Sequence, residues 1–356
     1  MEATDVTVEL FNHCAGSCTG CLLSANERKA VFPVLTPPQF GRVLDALAEH
    51  GRGNGLTYRP VMVFGDVPWM PLDVLRRYFD EAAARRSPFG LTMTLVEADK
   101  ADAYRAALAA AVAADPGAVF DITVDPIRLE RDDGYRERLG EAMGTAPHLH
   151  LAALLSEAVM ERWAPEALAD DMSARLGGRP LSLGFTPTLS NLGRANYGYD
   201  VASAAAYAAR FYGRTAEGRA HLGAELERFS ASGGYRAFLS QTFHVGPGLT
   251  VHPVAYSVFG DVILDHRNLG APLGSLAERP LSDLLGGPVA ARLSVMADAW
   301  MDRGSFGCRG CRWFDACATN GVGLVRKVYS DHEFRSGSCY GPAGLSDGVA
   351  ESLSTS

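Results

Sequence analysis

Six apolar runs rich in β-branched residues punctuate the first half of the chain: VTVELF at 6–11, VMVFG at 61–65, LTMTLV at 91–96, VFDITV at 119–124, LHLAALL at 149–155 and LSLGFT at 181–186. Their length and composition predict strands. Between them the apolar period lengthens to that of a helix. Phe40, Val43, Leu44 and Leu47 recur on one face after Thr36-Pro37-Pro38-Gln39, which has capping-box spacing, and Gly51 ends the pattern. Leu72, Leu75 and Phe79 repeat it after Pro71, and Tyr104, Leu108 and Val112 after Asp99. From the second strand onward the strands start about 30 residues apart, the length of a strand–helix unit. Six such units predict an α/β fold whose parallel sheet curls into a partial barrel, with the active site at the C-terminal strand ends.

Beyond residue 195 the texture changes. An Ala-rich helical stretch over 202–212 leads through AELERF and the glycine pair 233–234 to GLTVHPVAYSVFGDVILDH, which reads as a hairpin turning at Gly260-Asp261. Helical segments are expected near 281–285 and 289–301. The changes in texture divide the chain into a first domain over 1–230, a second over 231–345 and a disordered tail over 346–356.

Composition narrows the functions. The chain is 356 residues long and 47% hydrophobic, enough to bury a sizeable core. Its net charge of -8 and the lack of a Lys/Arg run argue against a nucleic-acid partner. The N-terminus MEATDVTVEL has neither the basic nor the apolar region of a secretion signal, and no apolar run reaches the roughly 18–20 residues of a membrane span. A cytoplasmic protein without a membrane partner is the expectation.

The seven cysteines fall in two groups, Cys14, Cys18 and Cys21 near the start and Cys308, Cys311, Cys317 and Cys339 near the end. An odd count without a secretion signal points to metal or redox chemistry in a reducing compartment rather than to disulfides. Three close thiolates can hold three irons of a [4Fe–4S] cube and leave the fourth iron open. On spacing alone, zinc or chance remains an alternative for the first group, and zinc and iron–sulfur are about equally suited to the second.

The spacing Cys14-x3-Cys18-x2-Cys21 after a first strand resembles that of the radical S-adenosylmethionine superfamily. In that family the open iron binds S-adenosylmethionine, and reductive cleavage yields a 5′-deoxyadenosyl radical that removes a hydrogen atom from substrate. The second strand ends in VFGDVP, which resembles the family's Gly-Gly-Glu-Pro turn: Gly65, Asp66 and Pro68 match, Phe64 replaces the first glycine, and Asp66 would accept the ammonium of S-adenosylmethionine. The fourth strand, DITVDP, resembles the family's Ile-Ser-Leu-Asp-Gly strand, with Thr123 at the hydroxyl position and Asp125 at the acid. Arg136, with Arg131 as its competitor, would meet the methionine carboxylate. One departure is that Gly20 and Leu22, rather than an aromatic residue, flank Cys21.

The second cysteine group, Cys308-x2-Cys311-x5-Cys317 with Cys339, resembles the SPASM extension of that superfamily, and TPTLSNLGRA resembles its Pro…Gly-Arg-Ala segment. The resemblance implies a partial (β/α)6 TIM-like barrel, a C-terminal SPASM-like domain, two [4Fe–4S] clusters and a flavodoxin- or ferredoxin-type electron donor. Full extensions carry a second auxiliary cluster. Its ligand positions here fall at or near His244, at Asp265 and at Gly321, so His244, His252, Asp265 and His266 gather where a substrate could be bound or deprotonated. Local hydrogen bonding within a hairpin is the competing role for each.

The resemblance implies a peptide substrate, taken directly or through a separate leader-peptide-binding protein, or a small-molecule natural product. The short segment before Cys14 leaves no room for a leader-gripping module. With all seven cysteines assigned to clusters, no thiol is left to return a hydrogen atom. Oxidation, giving a crosslink or a dehydrogenated product, is therefore the favoured outcome. The alternatives are an epimerase or dehydrogenase acting on an aminoglycoside-type carbohydrate, or a zinc-stabilised binding module without catalysis.

Overall fold

The computed structural model describes residues 3–10, 35–63, 66–185, 201–221, 243–257, 260–263 and 272–291. The strands expected from sequence form at β1 (Thr4–Glu9), β2 (Tyr58–Val63), β3 (Gly90–Met93), β4 (Val119–Val124), β5 (His148–Leu155) and β6 (Ser182–Phe185). The intervening helices are α1 (Pro37–Asn54), α2 (Leu72–Arg85), α3 (Ala101–Ala114), the short α4 (Pro126–Arg131) and α5 (Asp133–Thr145). The capping box at the start of α1 is present, with Thr36 accepting from the Gln39 backbone and Gln39 reaching back to the Thr36 amide. Its end lies beyond Gly51, at Gly55, which adopts the left-handed conformation that glycine takes without strain.

The chain divides into two compact units. The first comprises residues 1–152, 243–252 and 272–287. It adds β7 (Phe243–Gly246), the beginning of β8 (Thr250–Ser257), β10 (Gly274–Ser275) and the helix α9 (Leu281–Leu285). Its strand order is β10-β8-β7-β1-β2-β3-β4-β5. The β1–β2, β2–β3, β3–β4 and β1–β7 pairs are all parallel.

Sequential strand order with parallel pairing requires a crossover between every pair, and right-handed crossovers place all the helices on one face. The packing follows: α1 lies against α2, α2 against α3 and α3 against α5. The register separates two sheet faces. Val6 and Val8, Met62, Leu91 and Met93, and Phe120, Ile122 and Val124 share one face, all buried. The opposite face carries Asp5, Thr7 and Glu9, Arg59, Thr92, and Asp121 and Thr123. His150 of β5 joins it through an Nδ1 contact of 3.0 Å with Asp121. Val61 and Val119 lie on that face as well, so the period-two alternation of the strands becomes one apolar face and one mixed, largely polar face.

The second unit comprises residues 153–242, 253–271 and 288–356. It contains α6 (Glu157–Arg162), α7 (Pro165–Arg175), β6, α8 (Val201–Gly213) and β9 (Gly260–Ile263). Two bidentate pairs join α7 to α8, Glu166 with Arg210 and Asp170 with Arg214, one helical turn apart. Tyr207 donates to the Trp163 carbonyl at 2.9 Å, and the Tyr212 hydroxyl accepts from the Leu183 amide at 2.5 Å.

The hairpin differs from its expected position. Gly260 pairs with Ser257 and Asp261 with Tyr256, so both residues belong to the second arm rather than to the turn. The expected boundary at 230, the tail over 346–356 and the helix beyond residue 291 lie outside the described residues. Among the described residues no helix is long and apolar enough to cross a membrane.

The two faces should respond differently to truncation. Phe120→Ala, on the buried face, is expected to cost about 3–5 kcal/mol, while Thr123→Ala, on the same strand but the opposite face, costs less than about 1 kcal/mol. Urea midpoints of the two variants check this; equal losses would contradict the assignment of faces.

Candidate functional site

Polar side chains gather where β1–β4 end, and Asp66 is the most deeply buried of them. It follows β2 and precedes a single 3-10 turn at Val67–Trp69, with 1% of its surface exposed. Its Oδ2 accepts a hydrogen bond of 2.5 Å from the Tyr104 hydroxyl on α3, while Oδ1 is buried with no partner among the described residues. Burial raises the carboxyl to about 6, against the opposing pull of the Tyr104 hydroxyl. The same burial, with the neighbouring Asp66 charge, pushes the Tyr104 phenol upward.

The loop after β3 adds strain and a second buried group without a partner. Leu95 is fully buried at φ 58, a left-handed conformation that a branched residue adopts only under constraint. Its carbonyl accepts from Nε of Arg138 at 2.8 Å. Arg138, on α5, is 6% exposed, and its Nη2 has no hydrogen-bond partner among the described residues, the Asp132 carboxylate lying 4.0 Å away. The Thr94 hydroxyl is buried beside Asp66 and Tyr104, close enough to pull the Asp66 carboxyl downward against its burial, though it makes no hydrogen bond of ordinary geometry among the described residues.

The other residues singled out from sequence occupy different settings. Asp125 is buried as the N-cap of α4, accepting from the Arg128 amide at 3.1 Å, so local helix geometry already uses its carboxylate. Thr123 stands half-buried on the polar sheet face, and its carbonyl accepts from the Tyr135 hydroxyl at 3.3 Å. Arg136 donates to the carbonyls of Leu129 and Glu130, each at 2.9 Å, and pairs with Asp133, so its donors serve the end of α4. Its competitor Arg131 is exposed beside Glu130. Pro68 sits half-buried in the turn after Asp66. Gly65, Asp265 and the cysteines Cys14, Cys18, Cys21, Cys308, Cys311, Cys317 and Cys339 lie outside the described residues.

His244 and His252 are brought together. They stand on β7 and β8, 6% exposed each, with ring centroids 5.8 Å apart. His244 Nε2 lies 3.3 Å from Oε2 of Glu9, the last residue of β1. Sequence reasoning missed Glu9, Tyr104 and Arg138. Glu9 carried a local signal, since it continues the polar alternation begun by Thr7 between Val6 and Val8. Arg138 lies only two residues past Arg136, and no spacing rule distinguishes the two. Among the described residues no group of three His, Cys, Asp or Glu side chains is placed to hold a metal ion.

The Asp66 carboxyl links the site to stability. Because the folded carboxyl holds its proton more tightly than the unfolded one, its contribution is fully present below about pH 4 and is lost as pH rises through about 6. Asp66→Asn removes that loss. Relative to wild type, the variant should therefore gain about 2 kcal/mol between pH 4 and pH 7. Denaturation at both pH values measures the change; a constant difference would contradict it. No family model and no curated protein matches the chain.

Proposed function

We propose that the chain is a radical S-adenosylmethionine enzyme in which Cys14, Cys18 and Cys21 hold one [4Fe–4S] cluster and Cys308, Cys311, Cys317 and Cys339 a second, auxiliary one. The corresponding architecture is a partial (β/α)6 barrel followed by a SPASM-like domain. Sequential parallel strands with their helices in one layer are compatible with the barrel, and so is a polar opposite face in place of the aliphatic filling of a closed (β/α)8 core.

The observation that carries the reading is the buried carboxylate of Asp66, whose Oδ1 makes no hydrogen bond of ordinary geometry among the described residues although Thr94 lies beside it. A carboxylate oxygen buried without a hydrogen bond is costly unless a ligand completes it. It lies in the VFGDVP turn that resembles the family's ammonium-binding turn, and an α-ammonium supplies the donors that Oδ1 lacks. Arg138 is better suited than Arg136 or Arg131 to meet a carboxylate, because its buried Nη2 has only the Asp132 carboxylate at 4.0 Å and no hydrogen bond among the described residues, while the donors of Arg136 are engaged. Tyr104 holds Asp66 in place, and Leu95 does the same for Arg138. When bound, the reduced cluster and S-adenosylmethionine supply the radical that removes a hydrogen atom from a peptide or natural-product substrate.

Oxidation of the substrate, to a crosslink or a double bond, is the outcome we favour, because assigning all seven cysteines to clusters leaves no thiol to return a hydrogen atom. The expected test result is about eight irons per chain after anaerobic reconstitution, with 5′-deoxyadenosine formed on reduction in the presence of S-adenosylmethionine. Replacing Cys14, Cys18 and Cys21 with alanine should abolish 5′-deoxyadenosine and leave about half the iron. Retained cleavage in that triple variant would overturn the assignment, and zinc in place of iron would favour a binding module without catalysis.

A further inference from the structure

We infer that Glu9 and His244 form a proton-accepting dyad, in which Glu9 orients the imidazole and His244 Nδ1 takes a proton from an ammonium or hydroxyl group of a bound ligand. The inference rests on the proposed function only for placing that ligand near the C-terminal strand ends. The dyad itself rests on strand geometry. Parallel pairing of β1 with β7 sets Thr7 opposite His244 and places Glu9 on the same sheet face, two residues further along its strand. The carboxylate approaches Nε2 at 3.3 Å. Since a carboxylate only accepts, Nε2 is the protonated ring nitrogen in the neutral imidazole and Nδ1 holds the lone pair.

Two further observations support a built arrangement. Nδ1 is buried and has no hydrogen-bond partner among the described residues, which leaves the basic atom of the ring without a donor. Gly246 leaves the room that the pair occupies: a Cβ there would lie 2.9 Å from His244 Nε2 and 3.3 Å from Glu9 Oε2. Proton transfer from the ligand leaves its nitrogen or oxygen with the bonding electron pair and gives an imidazolium, which the Glu9 carboxylate stabilises. The proton passes to solvent after product leaves. Among the described residues, the titratable groups that face the ring are Glu9 from β1 and His252 from β8.

The test is 15N nuclear magnetic resonance of the full chain labelled with 15N-histidine, with His244 assigned by its loss in His244→Asn. The neutral wild-type ring should carry its proton on Nε2. Glu9→Gln, which removes the negative charge and keeps the shape, should reduce the share of that tautomer, and Gly246→Ala, which crowds the pair apart, should reduce it too. A tautomer share unmoved in both variants, or protonated Nδ1 in the neutral wild-type ring, would overturn the dyad. 5′-Deoxyadenosine formation by the wild-type chain, measured in parallel, tests the proposed function separately: its absence would remove the radical reading while the histidine spectra still decide the dyad.

Discussion

The register of β1 against β2 is the constraint on which the rest of the first unit depends. Side chains alternate across a strand, so a slip of one residue would turn Thr7 and Glu9 toward the helices and Val6 and Val8 away from them. The apolar set is fully buried, which makes such a slip costly. A bidentate pair between Asp5 and Arg59, at 2.6 and 2.8 Å, spans the same register position on the polar face. Partly exposed, it contributes no more than about 1 kcal/mol, but only one register satisfies both of its bonds. Hydrophobic burial thus supplies most of the energy, and the ion pair adds geometric selectivity.

That register has a chemical consequence. With most aliphatic residues committed to the helix side, the opposite face collects acids, imidazoles and hydroxyls from β1, β3, β4, β5 and β7, beside Val61 and Val119. Near the N-terminal strand ends these groups compensate one another, as Asp5 does Arg59. Toward the C-terminal ends compensation is incomplete: oxygens of Asp66 and Thr94, a nitrogen of Arg138 and a nitrogen of His244 are buried without hydrogen-bond partners among the described residues. Folding tolerates such groups at a cost of roughly 1–3 kcal/mol each. Their concentration at one end, together with the strained Leu95, is the pattern expected where a fold gives up stability to receive a ligand.

Much of this was legible in the sequence because it is local. The six strands, the Thr36–Gln39 cap and the helices after Pro71 and Asp99 follow from period and punctuation, and each forms, though β1 lies two residues earlier than its apolar run and β3 stops at Met93, short of the expected 96. The hairpin turn does not fall at Gly260-Asp261, because that pair has turn chemistry but is drawn into the second arm by pairing with Ser257 and Tyr256. The site was less legible. Asp66 was found through its turn motif, whereas Asp125 and Arg136 are engaged by the ends of α4, a use set by the short helix rather than by any motif. Glu9 meets His244 only through the pairing of β1 with β7, a contact between residues far apart in sequence that no local spacing encodes.

The central claim is that the three N-terminal cysteines build a cluster with one iron open to S-adenosylmethionine. Electron paramagnetic resonance of the reduced, reconstituted chain tests it most directly. Two overlapping signals from reduced four-iron clusters are expected, and adding S-adenosylmethionine should change the g-values of one while leaving the other unchanged. A spectrum without iron–sulfur signals, or one that S-adenosylmethionine does not alter, would contradict the account.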